Sequence, residues 1–143
     1  MKLARQQELA WQLYKEGLSI SRIAEEMNIT KQAVSVYIKQ AKARITEILI
    51  NLAEIMDCEI LKFDARKAIL IGRVRQTREK VYIVYIPESG PCVIYSSAVE
   101  KGYCLEKSTC RKVINYYLKR IRRSKKNMKN VLRYIVSKFI EQG

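Results

Sequence analysis

The sequence contains no histidine, and this absence removes many kinds of catalytic and metal site. Without an imidazole there is no Ser-His or Cys-His pair for nucleophilic catalysis. The four cysteines form no Cys-x-x-Cys pair, so a structural zinc site has little support. The five glycines form no glycine-rich phosphate loop. We therefore expect a protein that is not an enzyme and that needs no cofactor and no metal ion.

The cysteines leave two interpretations open. Cys104 and Cys110 would form a disulfide or a redox sensor with Cys92 if the fold brought them together. The alternative is a set of buried free thiols in a reducing cytosol. Cys58 and Cys92 lie on predicted strands, which favours burial.

Long apolar runs are also missing. No uninterrupted apolar run approaches 18 residues, so we expect no membrane span. Residues 1–7 are polar from the start, so we expect no secretory signal peptide. Both observations favour a cytoplasmic protein. The abundance of Ile, Lys, Arg and Tyr hints at a thermophilic or archaeal host.

Residues 18–40 have the pattern of a helix-turn-helix. Ala24 is small where two helices would cross. Asn28 stands where the chain must turn, because Asn tolerates the left-handed conformation better than any residue except Gly. Ser19 and Thr30 are the predicted N-caps of the two helices. The apolar residues that would close a small core are Ile23, Met27, Ile29, Val34 and Ile38.

An upstream helix over residues 3–16 would complete a tri-helical unit. Its apolar positions are Leu9, Ala10, Leu13 and Tyr14. Residues 5–45 as a whole resemble the helix-turn-helix of transcription regulators, namely Tfx-like archaeal regulators, sigma-factor region four and LuxR-type output domains. The residues that carry this resemblance are Leu18, Ser19, Ile23, Ala24, Met27, Asn28, Ile29, Val34, Ser35 and Ile38. Asn28 replaces the usual glycine, a mild departure because both accept a positive φ.

The resemblance implies that the second helix of the motif enters the major groove of double-stranded DNA. By position it implies base contacts from Lys31, Gln32, Ser35, Val36 and Lys39. Gln can pair with adenine, Lys can donate to guanine and Val can touch a thymine methyl group. Ser19 and Ser21, near a helix N-terminus, would meet phosphate. The alternative is a three-helix unit that binds protein.

The second helix of the motif is predicted to run from Thr30 to about Met56, since no Gly or Pro occurs between Gly17 and Gly72. Apolar residues recur along it in steps of four and three over about three heptads. The predicted dimer seam consists of Ala41, Ile45, Ile48, Leu52 and Ile55. The alternative is a helix covered by its own chain, and further apolar residues widen the stripe enough for both kinds of contact. A homodimer would suit a two-fold DNA reader.

The net charge of +14 is unevenly distributed. Residues 1–66 hold 10 Lys and Arg against 9 Asp and Glu, whereas residues 108–143 hold 11 against 1. A tail of this charge favours a polyanionic partner such as nucleic acid, because phosphate contacts supply most of the sequence-independent affinity for DNA. The predicted phosphate contacts of the tail are Arg120, Arg122, Arg123, Lys125 and Lys126. The alternatives are a solvated helix face or an anionic membrane surface, and the helix-turn-helix makes the membrane less favoured.

After residue 57 the pattern becomes extended. Apolar stretches at 58–63, 68–75, 81–86 and 92–95, separated by polar turns, predict an antiparallel meander. Residues 81–86 are apolar on both faces, which predicts a central strand covered by the long helix and by a tail helix. The basic residues around one hairpin would form a wing beside DNA or simply an exposed turn, and they are Arg73, Arg75, Arg78 and Lys80. Two helices are predicted over 108–123 and 126–141.

Together these patterns predict an α+β fold with a helix-turn-helix domain and long helix over 1–56 and an α+β domain over 57–143. The predicted function is a sequence-specific, dimeric DNA-binding protein, most simply a transcription regulator. Two alternatives are an architectural, segregation or packaging protein on DNA, and a regulator that senses a small-molecule effector within residues 57–107. The effector has no support of its own in the sequence.

Overall fold

The computed structural model describes residues 2–101, 107–119 and 128–141, and it confirms the predicted α+β fold class. The helices of the N-terminal part are α1 (Arg5–Lys15), α2 (Ile20–Met27) and α3 (Lys31–Ile55). The strands are β1 (Cys58–Asp64), β2 (Ile69–Val74), β3 (Lys80–Ile86) and β4 (Gly90–Tyr95). The remaining helices are α4 (Ser96–Lys101), α5 (Lys107–Leu118) and α6 (Met128–Ile135), and a π-helical segment (Val136–Ile140) follows α6.

The ends of α2 and α3 are set by the predicted capping residues. The Ser19 hydroxyl accepts the backbone N–H of Arg22 at 3.2 Å, and the Thr30 hydroxyl accepts that of Ala33 at 3.1 Å. Asn28 ends α2 in the left-handed conformation, with φ 54° and ψ 48°. Helix α3 then runs without a break for 25 residues to Ile55, with Met56 as its C-cap. The predicted caps, turn residue and helix length are therefore confirmed. Each cap and the turn depend only on a residue and its immediate neighbours in the sequence.

The four strands form one antiparallel sheet in the order β1-β2-β3-β4, which confirms the predicted meander. A β-bulge between Ile60 and Lys62 interrupts the pairing of β1 with β2. The short helix α4, which directly follows β4, was not predicted from the sequence.

Strand β3 lies inside the sheet and is buried on both faces, as predicted. Val81, Ile83 and Tyr85 belong to a core with α1 and α3. The alternate residues of β3 belong to a second core, which includes residues of α5, α6 and the π-helical segment. The sheet is therefore the middle layer between the N-terminal and the C-terminal helices.

The predicted division of the chain near residue 57 stays a prediction, but the N-terminal core crosses that position. Ala41, Ile45 and Ile48 of α3 pack in the same cluster as Leu70 and Ile83 of the sheet. Tyr85 adds polar contacts, since its hydroxyl accepts the backbone N–H of Leu3 at 3.0 Å and donates to the Glu8 carboxylate at 3.1 Å. The helix-turn-helix is thus anchored directly to the sheet. In the described ranges, no helix combines the length and the hydrophobicity that crossing a membrane requires.

Candidate nucleic-acid interface

The first turns of α3 have one buried side and one accessible side. Val34 is fully buried and Ile38 is 6% exposed, and both pack against α1 and α2. The five predicted base-contacting residues are all exposed on the rest of the helix surface, and they are Lys31, Gln32, Ser35, Val36 and Lys39. We call this set the reading face. Val36 has 50% of its surface accessible although it is apolar, which leaves it available to a partner.

The small core behind the reading face has the predicted composition. Ile23, Ala24, Val34 and Ile38 are buried there, and Met27 and Ile29 are partly buried against them. Among the apolar positions recognised at helical spacing in α1, Leu9 is 44% exposed, whereas Trp11, which was not among them, is fully buried. A side chain on α1 two residues from Leu9 points to a different side of the helix, and that side meets the sheet.

The predicted phosphate contacts fall into two groups. Ser19 and Ser21 are exposed at the start of α2. The Ser19 oxygen already accepts an N–H as the N-cap, so its O–H remains able to donate to a phosphate oxygen. The other predicted contacts lie outside the described residues, and they are Arg120, Arg122, Arg123, Lys125 and Lys126.

The charge near the reading face comes from α3 rather than from α2. Residues 31–46 of α3 contain four cationic side chains, of which Arg44 forms an ion pair of 2.9 Å with Glu47, whereas Lys31, Lys39 and Lys42 have no acidic residue within that stretch. In α2, by contrast, Arg22 lies 3.7 Å from Glu25 and 3.4 Å from Glu26, so that its charge is offset by two carboxylates. A phosphate backbone beside α2 would therefore gain little from this helix.

One cationic arrangement beside α3 was missed by the sequence analysis. The Lys42 ammonium lies 4.9 Å from the centre of the Tyr14 ring, and the Arg66 guanidinium lies 5.5 Å from the same centre. We call these three residues the Tyr14 cluster. Arg66 belongs to the β1–β2 turn (residues 65–68), and no sequence signal shows that this turn lies beside α1 and α3.

The β2–β3 hairpin, for which one interpretation of the sequence is a basic wing beside DNA, lies away from the reading face. It is next to the C-terminal end of α3, where Arg75 forms an ion pair of 2.8 Å with Asp57. With a rise of 1.5 Å per residue, this end is about 25 Å from Lys39 along the helix. Lys80 forms an ion pair of 2.7 Å with Glu141, and this contact and a hydrogen bond from Tyr82 lower the pKa of Glu141. The placement favours the alternative interpretation, an exposed turn.

The predicted dimer seam requires a correction. Ala41, Ile45 and Ile48 are 0–2% exposed, because they pack in the chain's own core against the sheet. These three side chains are therefore not accessible to a second copy. Leu52 is only partly buried, and Ile55 is 73% exposed. A homodimer stays a prediction, and its contact would have to use residues near the end of α3.

Two of the four cysteines are free thiols on strands. Cys58 and Cys92 are buried, as expected from their apolar surroundings, and burial raises the pKa of both thiols. Cys104 and the side chain of Cys110 lie outside the described residues. Within the described ranges, no group of three or more Cys, Asp or Glu side chains is arranged to hold a metal ion.

Three short-range features thus occur together: a capped pair of helices joined at Asn28, a small core behind them, and an exposed cationic face on the second helix. This is the geometry of a helix-turn-helix protein, a class that binds DNA. Residues 2–76 match the model of the UPF0122 family, described as "Putative helix-turn-helix protein, YlxM / p13 like". The match covers more than half of the chain, which therefore belongs to this family. The comparisons with curated proteins and with solved structures found no match.

Proposed function

We propose that this protein is a sequence-specific DNA-binding regulator of transcription that reads the major groove with the start of α3. The observation that carries the proposal is the division of α3 into two sides. Val34 and Ile38 fasten the helix to its core, while Gln32 and Ser35 point outward with unburied polar groups. Amide, hydroxyl, ammonium and small apolar groups of this kind are those that contact base edges in the major groove.

The size of the interface is consistent with a single recognition helix. Lys31, Ser35 and Lys39 follow one another at intervals of four residues, so they form one stripe along about two turns. Gln32 and Val36 form the adjacent stripe. The major groove admits one α-helix, so both stripes could contact base edges in a single groove.

The proposal includes a homodimer whose contact lies around the junction of α3 and β1. Three large apolar side chains remain accessible there: Ile55 at 73%, Ile60 at 43% and Leu61 at 43%. β1 is an edge strand, and Glu59 and Lys62 flank its two exposed apolar residues. In a two-fold contact with antiparallel β1 strands, Glu59 of each copy would face Lys62 of the other, as an interface between identical surfaces requires.

Selection of binding sites from random duplex DNA tests the reading of sequence. We expect a defined site to be enriched, and we expect Gln32→Ala to weaken binding to that site by roughly tenfold or more. Binding to random duplex should change less than twofold. Gln40→Ala is the matched control, because it removes an amide from the same helix one turn beyond Val36, outside the five residues of the reading face, where the Gln40 oxygen already accepts from Gln7 at 2.9 Å.

Two outcomes would contradict the proposal. Equal losses on the selected and the random duplex would show that Gln32 does not read a base. Enrichment of no site, together with cooperative coating of long DNA, would favour an architectural or packaging protein. The homodimer is tested by light scattering of the free protein, where Ile55→Ser should convert a dimer to a monomer. A wild-type mass equal to one chain would contradict the dimer.

A further inference from the structure

The Tyr14 cluster joins three elements that are distant in sequence. Tyr14 is near the end of α1, Lys42 is in the middle of α3, and Arg66 is in the β1–β2 turn. Both cations lie within 5.5 Å of the centre of the Tyr14 ring. An aromatic face attracts cations, so the ring holds a lysine and an arginine together that would otherwise repel each other.

The β1–β2 turn is held in place from both sides. The Asp64 carboxylate accepts the backbone N–H of Lys67 at 3.0 Å, and Ala68 adopts a left-handed conformation with φ 58°. The ammonium group of Lys15 in α1 donates to the Lys67 carbonyl oxygen at 3.1 Å. Arg66 therefore stands on a turn with a defined position relative to α1 and α3.

Lys42 lies in line with the reading face. It follows Lys39 by three residues and Ser35 by seven, and these intervals place all three on one stripe of α3. The reading face and the Tyr14 cluster are thus consecutive along the same side of the helix. A duplex whose groove receives Lys31 to Lys39 would have its phosphate backbone near the next turn of α3, where Lys42 lies.

The charge balance of the N-terminal part favours such a site for a DNA-binding protein. Residues 1–66 are almost neutral, with 10 basic and 9 acidic residues, and Arg22 of α2 is already paired. A DNA-reading helix needs phosphate contacts for most of its affinity. The Tyr14 cluster concentrates positive charge beside the reading face. Because Arg66 is exposed, a phosphate oxygen can reach its planar guanidinium, which donates in the fork geometry suited to phosphate.

We propose that Lys42 and Arg66 bind the phosphate backbone of the duplex whose major groove receives the reading face, with the β1–β2 turn acting as the basic hairpin of the interface. This inference rests on the proposed function. It assigns the phosphate contacts to the β1–β2 turn and not to the β2–β3 hairpin with Arg73 and Arg78.

The experiment compares charge removal at the two hairpins. Binding to a random-sequence duplex is measured over a series of KCl concentrations for wild type, for Lys42→Gln with Arg66→Gln, and for Arg73→Gln with Arg78→Gln. Each phosphate contact contributes roughly 0.9 to the slope of log K against log salt concentration. We expect the Lys42 and Arg66 double variant to reduce this slope by nearly two. The Arg73 and Arg78 double variant removes the same charge and should keep the wild-type slope.

Two further measurements make the result decisive. Circular dichroism checks that both double variants keep the helix content of the wild type, and Arg66→Lys, which retains the charge, should recover most of the slope. An unchanged slope in the Lys42 and Arg66 double variant overturns the inference, as does an equal reduction in both double variants. The proposed function is tested separately by site selection with wild type. If the wild type selects a site but the Lys42 and Arg66 double variant keeps the wild-type salt slope, only the phosphate assignment fails. If the wild type binds no duplex, the phosphate assignment and the proposed function both fail.

Discussion

The indole ring of Trp11 meets the phenol ring of Tyr85 edge-on, with ring centroids 5.9 Å apart and an angle of 84° between the planes. Trp11 lies on α1 of the helix-turn-helix and Tyr85 lies on β3 of the sheet. Both side chains are fully buried. Edge-to-face contacts of this kind add to the burial of apolar surface. This pair is therefore a main link between the DNA-binding unit and the sheet.

Trp11→Ala should lower the free energy of unfolding by about 3–5 kcal/mol, because it leaves a large cavity between α1 and the sheet. The measurement is urea denaturation followed by circular dichroism. Trp11→Phe is the matched control and should cost less, since it keeps a ring beside Tyr85. The indole N–H of Trp11 has no hydrogen-bond partner in the described part of the chain, so its removal should add little cost. A loss below about 1 kcal/mol for Trp11→Ala would contradict the central role of this contact.

Tyr85 should make stability fall at high pH. Burial, the largest cause, raises the pKa of Tyr85 to about 12, and Glu8 contributes in the same direction. The unfolded chain releases this proton near the ordinary tyrosine pKa of about 10, so the stabilisation is complete below that pH and is lost as the pH rises through about 12. Burial also raises the pKa of Tyr82, which acts in the same direction.

The check is the free energy of unfolding of wild type and Tyr85→Phe from pH 8 to pH 12, where the difference between the two should shrink above about pH 10. Tyr95→Phe, at a side chain that is 40% exposed, should keep the wild-type profile. A constant difference between wild type and Tyr85→Phe would show that the Tyr85 hydroxyl does not control the profile.

Asn28 offers a local test of the turn between α2 and α3. Its φ of 54° is accessible to glycine without cost and is unfavourable for a β-branched residue. Asn28→Gly should therefore keep the melting temperature close to wild type, whereas Asn28→Val should destabilise the protein by about 1–2 kcal/mol. Thermal unfolding followed by circular dichroism distinguishes the two. Equal melting temperatures for both variants would mean that the left-handed conformation is not required.

Gly72 should not tolerate a side chain. A Cβ atom at this position would lie 3.2 Å from the Cβ of Cys58 and 3.2 Å from the backbone oxygen of Glu59. These atoms belong to the neighbouring strand β1, so the strands would have to separate. Gly72→Ala should therefore cost about 1–3 kcal/mol, in the range of other overpacked positions. A free energy of unfolding equal to that of wild type would indicate that β1 yields without cost.

The features that the sequence predicted well are those with local causes. Ser19, Asn28 and Thr30 set helix ends through contacts within three residues of themselves, and the same residues were recognised in the sequence. The strands were predicted from short apolar stretches separated by polar turn residues, signals that also act over short distances. The exposure of Gln32 and Ser35 follows from the helical period, once Val34 and Ile38 are placed in the core.

The features that could not be predicted from the sequence depend on contacts between elements that are distant in the chain. Helix α1 has two apolar sides, and the single apolar stripe predicted from the sequence includes Leu9 and omits Trp11. The apolar period of α3 predicts that Ala41 and Ile45 are buried, but it does not show whether a second copy or the chain's own sheet buries them. The structure shows that the sheet does. No local sequence pattern shows that the β1–β2 turn lies beside Tyr14 and the β2–β3 hairpin beside Asp57, since both contain arginine and lysine.

Helix α3 runs unbroken from the reading face into the layer that packs on the sheet. There is consequently no joint at which the reading end could swivel against the rest of the molecule. In a pair of copies joined near Ile55, the separation of the two reading ends would be set by rigid rods of about 37 Å each. Such a pair would accept half-sites at one spacing only, and the insertion of a few base pairs between them would abolish simultaneous binding.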